Sequence, residues 1–362
     1  METAAGAARH PRSMLAVRWV TVVLVMGLAA AGLVGAYRYV WTFWLYRGFP
    51  APQLPTSVVE GHRRIPVAPG TLQNIEIKSP AVGLTLPAIV YLPPGYYSHP
   101  TRRYPTMYFL HGVPGSEDQF VDVGDVQTVE AVLVAKHLMP PTILVIPQGA
   151  TDFLLDTEWA NLPEPHAKWM TYVARDVVGA IDRRYRTIDR GTERAIAGLS
   201  EGGYGAFNIA LHHPREFGMV ESWSGYVWAD AAPGFFGRNR ALDAANSPAV
   251  EVRRERSALL ADHVYFWFYV GSRDYENRQN VEFDAELSSL GLPHWFFVHP
   301  GVHDWRLWRS EIRASLLAAG QYFTQYRSLR SPLAHEPPEL HGAAKPESVT
   351  PEPAPARGGR PR

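Results

Sequence analysis

The chain contains no cysteine, which excludes several kinds of chemistry at once. Disulfide bonds, thiolate nucleophiles and zinc sites built on cysteine are all ruled out, although the absence favours no particular redox compartment. Histidine also lacks its usual metal-binding pattern, because none of the 14 histidines forms a His-x-x-x-His pair on a predicted helix. The sequence therefore predicts no metal site and no cofactor.

The chain also lacks net charge, since 35 lysine and arginine residues balance 35 aspartate and glutamate residues. No basic cluster is interleaved with aromatic residues, as a nucleic-acid surface would require. The 362 residues, 46% of them hydrophobic, suffice for one large domain or two small ones. This composition predicts a globular protein that does not bind nucleic acid, and it leaves the oligomeric state open.

One long apolar run lies near the N-terminus. Residues 19–36 carry no charged side chain, and Thr21 is their one polar side chain. A run of this length is just sufficient to cross a bilayer as a helix, and aromatic residues flank it as at a membrane interface. We therefore predict a transmembrane signal anchor at 19–37, after a short basic segment at 1–18, with the rest of the chain outside the cytoplasm. A secretory signal peptide cleaved at the end of the run and a buried helix are the alternatives.

Composition divides the remaining chain into three parts. Residues 38–58 are predicted to form a juxtamembrane linker, because the part from residue 48 onward is rich in proline. Residues 331–362 contain much proline, glycine and glutamate and almost no large apolar residue, which predicts a disordered tail. Residues 59–330 alternate between strand-like and helix-like runs, which predicts one catalytic domain with a mostly parallel central sheet flanked by helices.

The predicted elements alternate along this domain. Runs rich in β-branched and aromatic residues predict strands at 74–77, 88–91, 106–111, 142–146, 194–197, 219–223, 263–270 and 294–299. Runs compatible with helix predict helices at 126–136, 169–185, 203–212, 281–290 and 307–322.

A Gly-x-Ser-x-Gly sequence spans residues 198–202, between a predicted strand and a predicted helix. The order strand, tight turn, helix is that of a nucleophile elbow, in which the serine lies at the tip of the turn. Small residues on both sides of the serine let the strand and the helix approach closely. The pattern predicts Ser200 as a nucleophile, with the positive end of a helix beside its hydroxyl.

A nucleophilic serine needs a base, and the base needs an orienting acid. In elbow hydrolases these follow in the order Ser, Asp or Glu, His. Asp274 and His303 each come just after one of two successive predicted strands. Both therefore lie at the edge of the sheet where ligands bind. The sequence favours Asp274 as the acid and His303 as the base.

Other side chains compete for these two roles. Glu276 lies two residues after Asp274 and stays open as the acid. Asp262 precedes its strand, at the opposite edge of the sheet, and Asp284 falls on a predicted helix. His299 is the alternative base, but His303 precedes a helix start, where a loop side chain can reach the serine.

The oxyanion that forms during attack needs two N–H donors. The residue directly after the nucleophile, Glu201, is expected to supply one of them. The second is expected from the loop after the strand at 106–111. Pro114 in that loop has no N–H, so Gly112 or Val113 must donate. His111 is expected to be structural, bonding to the backbone of the loop.

Several motifs, in order, resemble the esterase family of α/β-hydrolases that includes feruloyl esterases, enterochelin-type esterases, S-formylglutathione hydrolases and antigen 85 mycolyltransferases. The matching stretches are YLPPGY (91–96), YFLHG (108–112), YRTI (185–188), AIAGLS (195–200), GGYGA (202–206) and GVHDW (301–305). The resemblance covers about 75–310 and implies the α/β-hydrolase fold. It also implies Ser200 as nucleophile, Asp274 as acid, His303 as base, and the N–H groups of Val113 and Glu201 as oxyanion donors.

Two features of the chain qualify this resemblance. The resembled family commonly has methionine after the nucleophile, where this chain has Glu201. A carboxylate facing the developing oxyanion would be unfavourable, so we expect this side chain to point away from it. The aromatic-rich loop at 156–161 lies where related enzymes carry substrate-facing residues. Trp159 is therefore a candidate substrate contact, with ordinary packing as the alternative.

Together these residues predict a serine ester hydrolase that acts through an acyl-enzyme on a small-molecule or lipid ester. The first alternative is an acyltransferase of the antigen 85 type, which passes the acyl group to a sugar or lipid. The second is a hydrolase fold that serves only for binding, which Glu201 alone supports. The natural ester and its acyl length stay open.

Overall fold

The structure is a computed structural model that describes residues 11–39, 54–152, 155–229, 235–236 and 239–328. The predicted tail at 331–362 and most of the predicted linker at 38–58 lie outside the described residues.

Helix α1, Pro11–Tyr39, contains the apolar run near the N-terminus. Its stretch from Arg18 to Tyr37 has a mean hydropathy of 2.2, and none of it is buried against the rest of the described chain. The stretch is long enough to cross a membrane. Its exposure disfavours a buried helix of a soluble protein, whereas an anchor and a signal sequence share these features.

A small antiparallel hairpin of β1, Ser57–Glu60, and β2, Arg63–Pro66, precedes the main sheet. The sequence analysis did not predict this hairpin. Its first strand begins two residues before the predicted start of the catalytic domain. The strands have four residues each, too short for a clear alternation of apolar and polar side chains.

The centre of the molecule is an eight-stranded sheet with the order β10-β9-β8-β7-β5-β6-β4-β3. The six strands from β10 to β6 are parallel, and β4 runs antiparallel to both β6 and β3. This arrangement confirms the predicted mostly parallel sheet. The strands are β3 Thr71–Ser79, β4 Leu84–Leu92, β5 Thr106–Leu110, β6 Ile143–Pro147, β7 Arg194–Leu199, β8 Met219–Trp223, β9 Tyr265–Gly271 and β10 His294–His299.

Helices cover both faces of this sheet. The helices are α2 Gln119–Asp122, α3 Val126–Ala135, α4 Trp169–Thr171, α5 Val178–Arg184, α6 Glu201–His212, α7 Arg240–Ala245, α8 Pro248–Ala261, α9 Asn277–Ser289 and α10 Trp305–Ser328, with a π-helical segment Tyr172–Val177 joining α4 to α5. One face of the sheet carries α4, α5, α6, α8 and α9, and the other face carries α2, α3 and α10.

Alternating side chains of the central strands fill two cores. In β5, Met107 and Phe109 face the side of α10, whereas Tyr108 and Leu110 face the side of α6. Because both faces are covered, β5, β6, β7 and β8 are buried along their whole length. This burial holds the carboxyl ends of the strands rigidly at one edge of the sheet.

Some element boundaries differ from those predicted, and three of the α-helices in the described residues, α2, α7 and α8, were not predicted. The predicted strand at 263–270 begins later, at Tyr265, because His263 has a φ of 57°, which no strand residue adopts. Helix α8 begins at Pro248 directly after Ser247, a start signal made of a capping residue and a proline at the first helical position. Helices α2 and α7 were also missed, since their four and six residues are too few for a periodic pattern.

Candidate active site

Ser200 lies in the sharp turn between β7 and α6, at the carboxyl edge of the sheet. Its φ of 55° and ψ of −122° are sterically unfavourable for a residue with a side chain. The surrounding bonds impose this conformation, since the Ser200 N–H donates to the Trp223 carbonyl at 2.9 Å. The turn lifts the hydroxyl off the end of the strand and places it at the N-terminus of α6.

The two glycines of the motif allow this turn to pack against its neighbours. A Cβ on Gly198 would lie 2.1 Å from the carbonyl oxygen of Gly202. A Cβ on Gly202 would lie 2.0 Å from the carbonyl oxygen of Leu110. Both contacts are to backbone atoms, which cannot rotate away, so only glycine fits at either position.

We predict that Gly202→Ala destabilises the protein, because α6 must move away from β5 to accommodate the methyl group. The expected loss is about 3 kcal/mol in the free energy of unfolding, measured by denaturant titration. Gly179→Ala is the matched control. Its Cβ would approach only the flexible end of Arg183, at 3.0 Å, within helix α5. This control should be neutral or slightly stabilising, and equal losses for both variants would contradict the prediction.

The structure brings Ser200, His303 and Asp274 together from three separate loops. His303 Nε2 lies 2.8 Å from Ser200 Oγ. On the other side of the ring, His303 Nδ1 lies 3.1 Å from Asp274 Oδ1 and 3.0 Å from Oδ2. This is the chain of contacts in which a base takes the proton of a serine while an acid orients the base.

The loops that carry Asp274 and His303 are bonded to one another. The N–H of Ser272 donates to the His299 carbonyl at 2.7 Å, and that of Arg273 donates to the Gly301 carbonyl at 3.0 Å. A Cβ on Gly271 would lie 2.7 Å from the carbonyl oxygen of Gly301, so the close approach requires glycine there. These contacts fix the position of the acid relative to the base.

The environment of Asp274 keeps its carboxyl group ionised. Burial acts to raise its pKa, but the hydrogen bond and the charge of His303 outweigh burial and leave the pKa below its ordinary value. The N–H of Glu276 also donates to Asp274 Oδ1, at 3.0 Å. A carboxylate held in this way can orient the imidazole that it contacts.

The rival acid and the rival base have other partners. The carboxyl group of Glu276 accepts a hydrogen bond from the amide of Gln279. Burial, against the opposing charge of His303, raises the pKa of Glu276 to about 7. His299 Nε2 lies 3.5 Å from Glu311 Oε2, and the His299 ring stacks on Phe297 with ring centroids 5.8 Å apart. Geometry therefore favours Asp274 and His303 over these alternatives.

The loop after β5 lies directly against the nucleophile. A Cβ on Gly112 would lie 3.1 Å from Cβ of Ser200. In the described part of the chain, the N–H of Val113 donates to no acceptor. The N–H of Glu201, at the first position of α6, has no acceptor within its helix. These N–H groups are available as donors, and an oxyanion at Ser200 would require two of them.

His111 stabilises this loop, as expected, and does not act on the serine. Its Nδ1 donates to the Gly112 carbonyl at 3.0 Å, and its Nε2 accepts from the Gly149 N–H at 2.9 Å. Burial lowers the pKa of His111 to about 4, despite the opposing effect of the bond to Gly112. The ring is therefore neutral at physiological pH, and both of its nitrogens are occupied by backbone groups.

The comparison with known families fits this geometry. The family model described as Putative esterase matches residues 79–319, about two thirds of the chain. The chain belongs to this esterase family. The matched range includes the elbow, the acid loop and the base loop.

Known members and structures extend the comparison. The chain is 26% identical over 248 residues to an esterase of Mycobacterium tuberculosis, covering 61% of this chain and 53% of that protein. It is 30% identical over 246 residues to an endo-1,4-beta-xylanase/feruloyl esterase of Xylanibacter ruminicola, covering 66% of this chain and 30% of that protein. The chain thus spans about half of the first relative and less than a third of the second.

Solved structures share the fold. A ferulic acid esterase superposes with a TM-score of 0.63 at 24% sequence identity, covering 70% of this chain and all of that one. At this identity, the similarity establishes a common α/β-hydrolase architecture. It leaves the substrate of this family member open.

Trp159, the candidate substrate contact, lies in the core of this esterase-family domain. Its side chain is fully buried, and its indole N–H donates to the His111 carbonyl at 3.0 Å. Trp159 packs closely against two glycines. A Cβ added to Gly149 would lie 2.3 Å from the indole ring, and a Cβ added to Gly205 would lie 2.6 Å from the Cβ of Trp159. These contacts favour the packing alternative for Trp159, because its side chain exposes no surface to a substrate.

Tyr275 is a neighbour of the site that the sequence analysis did not single out. Its ring lies 4.5 Å from the ring of His303, measured between centroids, and its side chain is 72% exposed. Trp308 contacts the same imidazole edge-on at 5.0 Å. The sequence signal that could have identified Tyr275 is its position directly after Asp274, beyond the carboxyl end of a strand, where side chains face ligands.

Proposed function

We propose that this member of the esterase family is a serine carboxylic ester hydrolase that uses Ser200, His303 and Asp274. The observation that carries the proposal is the 2.8 Å contact of His303 Nε2 with Ser200 Oγ, backed by the bond from Nδ1 to Asp274. This contact lets the imidazole act as a general base at a serine that is otherwise a weak nucleophile.

The reaction follows from these positions. Ser200 Oγ attacks the ester carbonyl while His303 takes its proton, and Asp274 stabilises the resulting imidazolium. The N–H groups of Val113 and Glu201 bind the oxyanion of the tetrahedral intermediate. His303 then returns the proton to the departing alcohol, and water, activated by the same base, releases the acid from the acyl-enzyme.

Labelling with a fluorophosphonate probe tests the nucleophile directly. The probe forms a covalent bond only with an activated serine, so wild-type protein should be labelled and Ser200→Ala should not. Ser289→Ala is the control, because its hydroxyl lies on exposed helix α9 and donates to the Glu286 carbonyl. Labelling of Ser200→Ala at the wild-type rate would place the reactive serine elsewhere.

Product analysis tests the fate of the acyl group. Hydrolysis predicts that the free acid accounts for all of the ester consumed, with or without an added sugar or lipid acceptor. Transfer of most of the acyl group to such an acceptor would identify an acyltransferase instead. A series of p-nitrophenyl esters of increasing length, assayed in parallel, would define the preferred acyl group.

We propose in addition that α1 tethers the domain to a membrane, with the domain outside the cytoplasm. The support is the exposed apolar stretch from Arg18 to Tyr37. Full-length protein should stay in the membrane fraction after an alkaline carbonate wash, and protease added to intact cells should degrade it. Recovery of a shortened, soluble protein outside the cells would establish a cleaved signal peptide instead.

A further inference from the structure

The buried side chain of Glu201 lies beside the nucleophile with two other carboxyl side chains, of which Glu158 is buried and Asp156 is half-buried. Oε1 of Glu201 accepts a hydrogen bond from the N–H of Thr157 at 3.2 Å. Its Oε2 is buried, and no donor in the described residues reaches it. The carboxyl group of Asp156 is its hydrogen-bonding neighbour, and this bond acts to raise the pKa of Glu201 and to lower that of Asp156. Two carboxyl groups can share such a contact only if a proton lies between them.

Glu158, the next acidic side chain of this group, also has a carboxyl oxygen that no donor reaches in the described residues. Glu158 is buried, its Oε2 accepts a hydrogen bond from the hydroxyl of Tyr226, and its Oε1 has no donor within the described chain. Tyr226 stacks on Tyr204 of α6, with centroids 4.6 Å apart. The titratable groups that face Glu201 are thus two further carboxyls from the 156–159 segment and two tyrosines from α6 and the loop after β8. All four are acids, and none of them supplies a positive charge.

We propose that Glu201 is a positioning residue that acts as a neutral carboxylic acid, donating its proton to Asp156 and accepting from the N–H of Thr157. In this form it ties the 156–159 segment to the first turn of the helix that carries the nucleophile. The inference rests on the proposed function, because the nucleophile and the oxyanion donors are those assigned there.

The electrostatic surroundings agree with this assignment. Burial raises the pKa of Glu201 well above its ordinary range, and the charges of Asp156 and Glu158 raise it further. Burial also raises the pKa of Glu158 to about 8. A proton on Glu201 removes the carboxylate that would oppose an oxyanion at the adjoining N–H.

A chain of bonds leads from Glu201 to the oxyanion loop. The hydroxyl of Thr157 donates to the Gly149 carbonyl at 2.9 Å, and the Gly149 N–H donates to His111 Nε2 at 2.9 Å. Two residues after Thr157, the indole of Trp159 donates to the His111 carbonyl. His111 precedes Gly112 and Val113, so the bond between Glu201 and Thr157 positions one oxyanion donor relative to the other.

Steady-state kinetics of Glu201→Gln and Glu201→Ala test this role. Glutamine is neutral, can donate to Asp156 and can accept from Thr157, so its kcat should stay within about threefold of wild type. Alanine removes both bonds, and its kcat should fall by about tenfold or more with KM changed by less than about threefold, since the loss is in the oxyanion geometry. A wild-type kcat for Glu201→Ala, or an equal loss for Glu201→Gln, would overturn the proposal.

Glu130→Ala is the matched control. Glu130 is a fully buried carboxyl on α3 whose Oε1 accepts from the Thr142 N–H at 3.0 Å, and burial raises its pKa to about 8. Its removal also leaves a buried N–H without a partner, but outside the elbow and its loops. Its kcat should be unchanged. A loss equal to that of Glu201→Ala would attribute both effects to general destabilisation and overturn the positioning role.

Thermal unfolding tests the proton on Glu201 without any assay of activity. Over the pH range between the ordinary pKa of a glutamate and the raised pKa of Glu201, the unfolded chain releases the proton of Glu201 whereas the folded chain keeps it, so the wild type loses stability as the pH rises. Glutamine cannot ionise, so the Tm of Glu201→Gln minus that of wild type should increase by several degrees across this range. A difference that stays constant with pH would show an ionised Glu201 and overturn the proposal, even if no ester proved to be a substrate.

Discussion

Replacing Ser200 with alanine should lower kcat for ester hydrolysis by about 10⁵-fold or more, which is the largest effect expected of any single substitution. Only the hydroxyl changes, because alanine keeps the Cβ and the backbone can still make its bond to the Trp223 carbonyl. The expected residual rate comes from the oxyanion donors and from substrate binding, which this variant retains. The measurement is hydrolysis of a p-nitrophenyl ester under single-turnover and steady-state conditions.

Two comparisons make this result specific. Ser289→Ala, on the surface of α9, should hydrolyse the ester at the wild-type rate. The Tm of Ser200→Ala should equal or exceed that of wild type, because alanine keeps the Cβ and the backbone bonds and removes only a hydroxyl that contacts His303. Full activity in Ser200→Ala would refute the assignment of the nucleophile.

Asp274→Asn should have the second largest effect, a fall in kcat of about 10⁴-fold. The carboxylate accepts from Nδ1 of His303 through both of its oxygens. An amide in its place cannot stabilise the imidazolium, and its NH₂ group favours the tautomer in which Nε2 carries the proton and cannot take one from Ser200. Steady-state kinetics at neutral pH measure the loss.

Glu276→Gln is the matched control for this prediction. Glu276 lies two residues away, is equally buried, and was the competing candidate for the acid. The carboxyl group of Glu276 bonds to Gln279, and burial raises its pKa to about 7. Glu276→Gln should therefore lower kcat by less than about tenfold. A larger loss in Glu276→Gln than in Asp274→Asn would exchange the roles of the two carboxyls.

The sequence predicted the features that depend on local pattern. Runs rich in β-branched and aromatic residues predicted the eight strands of the main sheet, and the four central strands are buried along their whole length because both of their faces are covered. The glycines around Ser200 predicted the tight turn, because a Cβ at either position would clash with backbone. Chain order and the ends of strands were enough to select Asp274 and His303 as candidates.

The sequence could not predict contacts between distant segments. Thr157 and Glu201 are 44 positions apart, and no local pattern indicates that one donates to the other. The burial of Trp159 has the same origin, since glycines at 149 and 205 make room for its ring. An aromatic residue in a loop looks alike in sequence whether it faces a substrate or the core.

What the sequence by itself determined is the fold class, the family and the residues that have the right chemistry for ester hydrolysis. These follow from periodicity, from glycine positions and from motif order, all of which are properties of neighbouring residues. Only the tertiary structure decided that Asp274 rather than Glu276 reaches the imidazole, that Trp159 is buried, and that Glu201 lies among other acids. These outcomes depend on how the loops at one edge of the sheet meet, and a side chain's partners and protonation are set by that packing and not by its place in the chain.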